Sequence, residues 1–356
     1  MSAITNKNLP ESNWQGVNSP PVSVVIPMYN AERSIGRCLE SIENQDYPRE
    51  YIEVIVVDDG SADKSADIAR EHGVKVLRQE NSGPGAARNT GVDEASAEII
   101  AFFDADNVAA SSWLKEAIAL FNDEKTAGVG CSYYLLNKEN DLTKISAMQG
   151  PFRRRYCAGR TDYVDTYGCL YKKSILKEVG GFDSRMRYGE DMELSGRVIN
   201  KGYSFHFINK PLIGMAFRST LREYVLNQIK KVAHGVIWYL RPRGMKIIGG
   251  STGPADYAQG LLPIAFLISL PFLQAWQLPV ALAIALLLLL ALNIPFIRFV
   301  LANRDRAELS KHWPFTLLFY LIVRCLSWSS GLMYGIWLLL RHPSIMRYPT
   351  TEGEGS

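Results

Sequence analysis

The stretch from Glu98 to Asn107 constrains this chain most, because an apolar run ends there directly in acid. Ile99 to Phe103 have the length and composition of a strand buried on both faces. In an open α/β sheet the ligand crevice lies at the carboxyl ends of the strands, so Asp104 and Asp106 would be presented there. Two carboxylates at this spacing can share Mg²⁺ or Mn²⁺ with phosphate oxygens. The stretch predicts a diphosphate-binding metal site. A solvated acidic loop is the alternative, since short D-x-D matches are common by chance.

Two earlier strands also end in polar clusters. The strands are predicted at Val22–Ile26 and Glu53–Val57, and the clusters that follow them are Pro27–Asn30 and Asp58–Ser61. Helices and strands alternate regularly through this part of the chain, which predicts an α/β fold with a mostly parallel, Rossmann-like, doubly wound sheet. The carboxyl ends of parallel strands share one edge, where such sheets bind nucleotides. We therefore expect all three polar clusters to meet at one site.

A glycine-containing turn at Asn81 to Gly91 is predicted to open a helix. The free N–H groups and the positive dipole end of such a helix favour an anion. The turn contains Gly83 and Gly85, but it has neither the G-x-G-x-x-G spacing of a dinucleotide site nor the G-x-x-x-x-G-K of a P-loop. Dehydrogenase and ATPase functions are therefore disfavoured.

A second pair of acids, Glu190 and Asp191, stands at the predicted start of an apolar-periodic helix. The helix dipole favours a carboxylate at this end, and the side chain projects away from the core. A general base needs such a position, within hydrogen-bond reach of the hydroxyl it deprotonates. Helix capping is the alternative role.

Hydrophobicity is unevenly distributed over the 356 residues. Leu261 to Ile297 contain no Lys, Arg, Asp or Glu, and Trp313 to Leu340 contain only Arg324. Runs of 18 or more apolar residues are candidate membrane helices, because about 20 residues cross the hydrocarbon core. We predict a disordered lead-in at 1–20, a catalytic domain at 21–220, an amphipathic interfacial helix and linker at 221–250, transmembrane helices at about 257–275, 278–299 and 314–340, and a tail at 341–356.

The charges set the expected topology. Arg298, Arg304, Arg306 and Lys311 follow the second apolar segment, and the positive-inside rule places them in the cytosol. Residues 1–19 lack the apolar core of a signal peptide, so we expect a multi-pass protein of the cell membrane with a cytosolic catalytic domain. A net charge of +3 is too small to argue for a nucleic-acid partner, and five scattered cysteines fit reduced thiols.

The ordered set of motifs resembles the family-2 glycosyltransferases, which have the GT-A fold, invert the anomeric carbon and use nucleotide sugars. Each motif is modest alone, but the order is specific. The matching pieces are Val24–Asn30, Val57–Ser61, Gly85–Gly91, Asp104–Asp106, Gly180–Asp183 and Gly189–Asp191.

The resemblance implies a role for each candidate residue. Asp191 would be the catalytic base, and Glu190 would help to position the acceptor. Asp106 would ligate a divalent cation directly, while Asp104 would hold the ribose, or the cation through water. The nucleotide sugar would be bound by Asp104 together with Pro27, Tyr29, Asn30, Asp58, Asp59 and Arg88, with Asp59 as first choice for the base.

Two departures from the family pattern matter. Processive members carry Q-x-x-R-W after the base, whereas this chain has Gln228 followed by Lys231 and Val232, and Val offers no aromatic face to an acceptor sugar. Many relatives place a histidine metal ligand after the next strand. Ile213 to Arg218 contain no histidine, and His206 and His234 are the remaining candidates.

Together these features predict a membrane-bound, metal-dependent enzyme of the hexosyltransferase type. It would transfer a single sugar to a lipid-linked or membrane-proximal glycan acceptor and would contact membrane lipids. A processive polysaccharide synthase and a non-catalytic nucleotide-sugar-binding membrane protein are the alternatives.

Overall fold

The computed structural model describes residues 19–154, 159–186, 188–217, 220–240 and 254–342, except for the side chains of 238, 239 and 254–257. The predicted lead-in up to residue 18, the linker from 241 to 253 and the tail beyond 342 lie outside the described residues. So does Cys157. The other four cysteines are free and buried.

Within the described residues, one sheet contains nine strands and is followed in sequence by long helices. The strands are β1 (Val22–Met28), β2 (Ile52–Asp58), β3 (Lys75–Arg78), β4 (Ile99–Phe103), β5 (Val108–Ala109), β6 (Thr126–Leu135), β7 (Gly159–Thr161), β8 (Gly168–Lys172) and β9 (Ser204–Met215). The helices are α1 (Ile35–Glu43), α2 (Ser65–Glu71), α3 (Pro84–Glu94), α4 (Trp113–Ile118), α5 (Asp141–Ala147), α6 (Gln149–Arg154), α7 (Lys173–Glu178), α8 (Glu190–Asn200), α9 (Leu221–Leu240), α10 (Pro254–Ser269), α11 (Leu278–Asn303) and α12 (Trp313–Arg341).

The α/β class is confirmed, and the sheet is mixed. Its order is β3-β2-β1-β4-β8-β6-β9-β5, with β7 beside β9. The strands β1 to β4 are parallel, as expected from the alternation. Beyond β4, β8 is antiparallel to both its neighbours, and β6 is parallel to β9. All five residues of β8 are buried, as they would be in a central parallel strand, so its composition does not reveal its direction.

Helices cover both faces of the sheet. Alternate residues of β4 point to opposite sides, so that Phe103 packs in the cluster that contains α1, and Phe102 packs in the cluster that contains α8. Helix α3 lies close to β1, because a Cβ added to Gly91 would lie 2.3 Å from Val25 Cγ1. This packing holds the first turn of α3 beside the carboxyl edge of the sheet.

Helix α9 lies in the segment predicted to be an amphipathic interfacial helix, and one of its faces packs on α12. The rings of Tyr224 and Tyr320 are 5.5 Å apart, and Trp328 Nε1 donates to Gln228 Oε1 at 3.3 Å. Farther along both helices, a Cβ added to Gly335 would lie 2.8 Å from the Ala233 carbonyl oxygen. The two helices therefore run side by side in the same direction.

Two segments within the described residues are long and apolar enough to cross a membrane: Ala275–Asn303 and Trp313–Arg341. The remaining predicted span, at about 257–275, corresponds to α10, which has 16 residues and an internal proline, Pro263. The length of a spanning helix is therefore found for two of the three predicted segments.

The close contact at Gly335 gives a first prediction. Gly335→Val should lower the free energy of unfolding by about 1–3 kcal/mol, because the new side chain collides with the backbone of α9. Met333→Val, at a position of the same helix that is 53% exposed, is the matched control. Thermal unfolding in detergent measures both, and equal transition temperatures would contradict the packing of α9 on α12.

Candidate active site

The three predicted polar clusters lie together at the carboxyl edge of β1, β2 and β4. Met28 and Asp58 are in register on neighbouring strands, and Asp59 N donates to the Met28 carbonyl oxygen at 2.8 Å. Asn30 N donates to Ser61 Oγ, and Asn30 Oδ1 accepts from Ala62 N, both at 2.9 Å. Asn30 thus ties the first two clusters together, while Tyr29 is 55% exposed at their rim.

The adjacent acids Asp58 and Asp59 have different surroundings. Asp59 accepts hydrogen bonds on both carboxylate oxygens, from Gln79 Nε2, Ser82 N and Gly83 N, at 2.8–2.9 Å. It therefore holds the turn that opens α3. Asp58 is fully buried, and its Oδ1 accepts from Ser61 N. Its Oδ2 accepts no hydrogen bond from the described residues, with Arg78 Nη1 at 3.3 Å.

Arg88 connects the two acidic parts of the site. Its Nη1 donates to Glu190 Oε1 at 2.8 Å, and its Nη2 donates to Asp104 Oδ1 at 2.9 Å. The residue is 3% exposed, and its guanidinium lies 5.6 Å from the centre of the Phe182 ring. Arg88 thus lies between Asp104 and the helix that begins with Glu190 and Asp191, rather than open to solvent.

The Gly180–Asp183 motif is held against α3. Asn89 Nδ2 donates to the Phe182 carbonyl oxygen, and Asn89 Oδ1 accepts from Phe182 N. Gly181 has a φ of +67° and lies so close to Asn89 Oδ1 that an added Cβ would be 2.7 Å away. This clamp fixes the chain that leads into α8 relative to the carboxyl edge of the sheet.

Burial and neighbouring charges raise the pKa values of two carboxyl groups of the site, those of Asp104 and Asp191. Burial raises the pKa of Asp104 to about 6, with Asp106 and Glu190 adding to the rise and Arg88 opposing it. Burial raises the pKa of Asp191 to about 7, and the charges of Glu190 and Asp165 contribute to the rise. A pKa near 7 suits a general base at physiological pH. Asp191 Oδ1 also accepts from Met192 N at 2.8 Å.

The pair of Arg154 and Asp165 was not predicted. Arg154 is 5% exposed, donates to Asp165 Oδ2 and stacks between Tyr163 and Phe207, whose ring centres are 4.1 and 4.4 Å from its guanidinium carbon. Sequence alone places Arg154 in a basic run typical of a solvated loop, so only the fold reveals its burial. Val164 N donates to Ser195 Oγ, and Ser195 lies one turn after Asp191 in α8. This bond holds the adjacent Asp165 near Asp191.

This arrangement predicts a pH effect. If Asp191 is the base, its ionised form is the active one, and the rate should rise with pH through about 7. Asp165→Asn removes a negative charge that raises the pKa of Asp191, and the acid limb of the kcat profile should therefore move to lower pH. Asp162→Asn is the matched control. If the acid limb of the Asp165→Asn variant stays at the wild-type pH, the charge of Asp165 does not raise the pKa of Asp191 and the prediction is wrong.

The carboxylates fit a divalent cation only in part. Asp106 is exposed beside Asp104, and both offer the hard oxygen ligands that Mg²⁺ and Mn²⁺ prefer. The described residues contain no group of three or more His, Cys, Asp or Glu side chains placed to hold a metal ion. His234 Nδ1 donates to the Lys230 carbonyl oxygen within α9. A cation at Asp104 and Asp106 would therefore need oxygens from a bound phosphate to complete its ligands.

Comparisons with known proteins agree with this geometry. Residues 23–180 match the family described as Glycosyl transferase family 2. The chain is 28% identical over 196 residues to glycosyltransferase AglE of Haloferax volcanii, which is 53% of this chain and 64% of that protein. It is 30% identical over 221 residues to the pre-mycofactocin glycosyltransferase of Mycobacterium tuberculosis, which is 59% of this chain and 46% of that protein. The chain thus spans less than two thirds of the length of either relative.

A solved structure shares the fold. It is a mannosyltransferase of Pyrobaculum calidifontis in complex with GDP-Man and Mn²⁺, with a TM-score of 0.55 and 22% identity over 87% of each chain. At that identity the likeness concerns the fold alone. Residues 23–180, which carry the strand-end acids, thus form a domain of glycosyltransferase family 2, and the chain shares the GT-A fold.

Proposed function

We propose that this protein is a metal-dependent, inverting glycosyltransferase that moves one sugar from a nucleotide-diphosphate sugar to a lipid-linked or membrane-proximal acceptor. The Arg88 bridge is the main support. One guanidinium, buried and bonded to both Asp104 and Glu190, keeps the strand-end acid beside the helix end that presents Asp191. A donor diphosphate at Asp104 and an acceptor hydroxyl at Asp191 would then meet at one sugar carbon.

The donor base would lie against Pro27, Tyr29 and Asp58. We propose Asp58 rather than Asp59 for base recognition, because Asp58 Oδ2 accepts no hydrogen bond from the described residues and has only the ion pair with Arg78 Nη1 at 3.3 Å. An N–H of the base would donate to this oxygen. Asp59 would act indirectly, by fixing the turn at Ser82 and Gly83.

Asp104 and Asp106 would hold the diphosphate end of the donor through a divalent cation. The cation would offset negative charge on the departing nucleotide diphosphate. The bond from Arg88 Nη2 to Oδ1 holds Asp104 in position. The other carboxylate oxygen, Oδ2, would then ligate the cation. Asp106 is exposed, so it can approach a bound donor from the solvent side.

On the acceptor side, Asp191 would remove the proton from the attacking hydroxyl. Its raised pKa supports this role, because a base is most effective when its pKa is close to the working pH. Attack from the face opposite to the leaving diphosphate inverts the anomeric carbon in one displacement. Glu190 would support the step by anchoring α8 to Arg88.

Single addition is favoured over processive synthesis by the position of Val232. This residue occupies the place of the Trp in Q-x-x-R-W, and it is buried against Gly331 of α12. It therefore packs between helices and offers nothing to an acceptor sugar. Gln228 accepts from Trp328 in the same helix pair. A polysaccharide synthase would instead release products of increasing length.

An acceptor at a membrane is supported by the exposed apolar surface of α11 and α12. Leu287 is 65% exposed, Phe315 is 76% exposed and Leu340 is 80% exposed. Large exposed apolar patches on a protein surface are sites of protein or membrane contact. We place the catalytic domain on the cytosolic side, on the strength of the basic loop between the two helices.

A panel of labelled nucleotide sugars tests the proposal. Membranes containing the protein should transfer one labelled sugar to material that partitions into organic solvent, and chelation with EDTA should abolish the transfer. Adding Mn²⁺ or Mg²⁺ should restore it. Binding of a nucleotide sugar without transfer or donor hydrolysis, with either metal, would favour a non-catalytic sensor.

A further inference from the structure

We infer that the C-terminal helices hold this protein on one face of a lipid bilayer without crossing it. In this arrangement α12 lies in the membrane interface along the catalytic domain, and only the tip of the hairpin of α10 and α11 enters the bilayer. Helix length alone would allow α11 and α12 to span. The contacts of α12 and the length of α10 argue against a crossing.

The first contact is between the catalytic domain and α9. Tyr188, two residues before Glu190, has its ring 5.2 Å from the ring of His234 and 5.9 Å from Lys230 Nζ. Helix α9 in turn packs on α12 from Tyr224 and Tyr320 to Ala233 and Gly335. The middle of α12 is therefore at the level of the active-site loop. A bilayer crossed by α12 would have to contain that loop.

The charges of α9 lead to the same conclusion. Lys230 and Lys231 are exposed, and the neighbouring residues Ile229 and Val232 contact Gly331 of α12. If α12 crossed the bilayer, both ammonium groups would lie near its centre. The insertion cost there is about 2.5–3.5 kcal/mol for each charge. In the interfacial arrangement both lysines stay in water.

The opposite side of α12 is an apolar stripe, interrupted at Ser330, whose hydroxyl donates to the Leu326 carbonyl oxygen. Its exposed residues recur at helical spacing along the whole helix, while Trp328, Gly331 and Gly335 face protein. A helix with one face on protein and one apolar face lies in the plane of a membrane interface. The stripe consists of Phe315, Phe319, Ile322, Leu326, Met333, Trp337 and Leu340.

Basic residues at the start of the stripe favour a bilayer as its partner. Arg298, Arg304, Arg306 and Lys311 are exposed around the turn between α11 and α12 and outnumber its two exposed acids, Asp305 and Glu308. Anionic lipid headgroups attract such groups by about 1 kcal/mol per charge. The turn is fastened to the catalytic domain, because Ser310 N donates to Asp141 Oδ1 at 3.1 Å.

The hairpin of α10 and α11 is too short in one arm to cross. With 16 residues, α10 is about 24 Å long, against a hydrocarbon core of about 30 Å. Its first half is fixed to α12, where Ser329 Oγ donates to the Gly260 carbonyl oxygen and Cys325 Sγ contacts the Gln259 carbonyl oxygen. Phe272, 82% exposed, and Trp276, 69% exposed, form the tip. The tip can enter one leaflet and return.

Labelling of single cysteines tests this topology without using activity, so its outcome is separate from that of the proposed transfer. The background is Cys157→Ser, because the other four cysteines are buried. Arg306→Cys marks the membrane face on which the catalytic domain lies. His342→Cys lies at the end of α12 and Gln274→Cys just before α11. If these helices crossed the bilayer, both sites would lie on the face opposite to Arg306→Cys. All three positions are exposed in the fold. A membrane-impermeant maleimide is added to intact cells and to inverted vesicles.

We expect His342→Cys to react from the same face as Arg306→Cys, and Gln274→Cys to remain unreactive from the opposite face. Reaction of either site only from the face opposite to Arg306→Cys would overturn the inference.

A second experiment identifies what covers the stripe. Phe319→Glu with Leu326→Glu should reduce co-flotation with vesicles of phosphatidylcholine and phosphatidylglycerol at least tenfold. Asn122→Glu with Asn200→Glu, which adds the same charge on the catalytic domain, should leave it unchanged. If the stripe variant floats normally and instead converts a dimer to a monomer in light scattering, the partner is a second copy and the inference fails.

Discussion

Replacing Asp191 by asparagine is expected to lower kcat for sugar transfer by about 10²–10⁴-fold, because the amide cannot accept the proton of the acceptor hydroxyl. The shape of the side chain is nearly unchanged, and the amide oxygen of the variant can still accept from Met192 N, as the carboxylate of Asp191 does. The affinity for the donor should therefore stay the same. Single-turnover transfer and donor titration separate the two quantities.

Met192→Leu is a suitable control for local disturbance of α8, since it changes the neighbouring residue without changing a titratable group. Asp191→Asn should also abolish the acid limb near pH 7, because the group that titrates there has been removed. Turnover equal to wild type, or an unchanged pH profile, would remove Asp191 from the mechanism and leave Glu190 as the carboxylate to consider.

Local sequence patterns predict the strand ends well, because they depend on only a few neighbouring residues. An apolar run followed by acid fixes where a strand stops, and parallel neighbours then bring the acids to one edge. Asp58, the last residue of β2, and Asp104, which follows β4, lie at that edge as expected, since both strands are parallel to β1. The direction of β8 could not be predicted in this way, because a central strand is apolar whether it is parallel or antiparallel.

Local sequence patterns do not predict which residues support the site. Arg88 and Glu190 are 102 positions apart, and Arg154 is buried only because Tyr163 and Phe207 enclose it. Hydropathy likewise finds α12 as an apolar helix but cannot show which protein surface covers it. In each case the missing information is a contact between distant segments, which periodicity and motif spacing do not contain.

Loss of Arg88 is expected to have the second large effect. Arg88→Met leaves the carboxylates of Glu190 and Asp104 without their shared cation, and breaking a buried ion pair from one side costs about 3–5 kcal/mol. Asp104 is one-third exposed, so we expect the lower end of this range. Chemical denaturation of the protein in detergent measures the loss. Arg70→Met is the matched control, because Arg70 is 54% exposed, its partner Asp67 is 73% exposed, and such a surface pair should contribute at most about 1 kcal/mol.

Arg88→Lys separates a structural role from a role in aligning the site. A lysine keeps the positive charge but is a single point donor, so it cannot bond to Glu190 and Asp104 with the two-pronged geometry of a guanidinium. We therefore expect Arg88→Lys to recover most of the stability that Arg88→Met loses, while transfer stays at least tenfold below wild type. Recovery of both properties would mean that charge alone suffices. Full stability of Arg88→Met would mean that the two acids are not held together by this residue, and the convergence of the donor and acceptor sites would need another explanation.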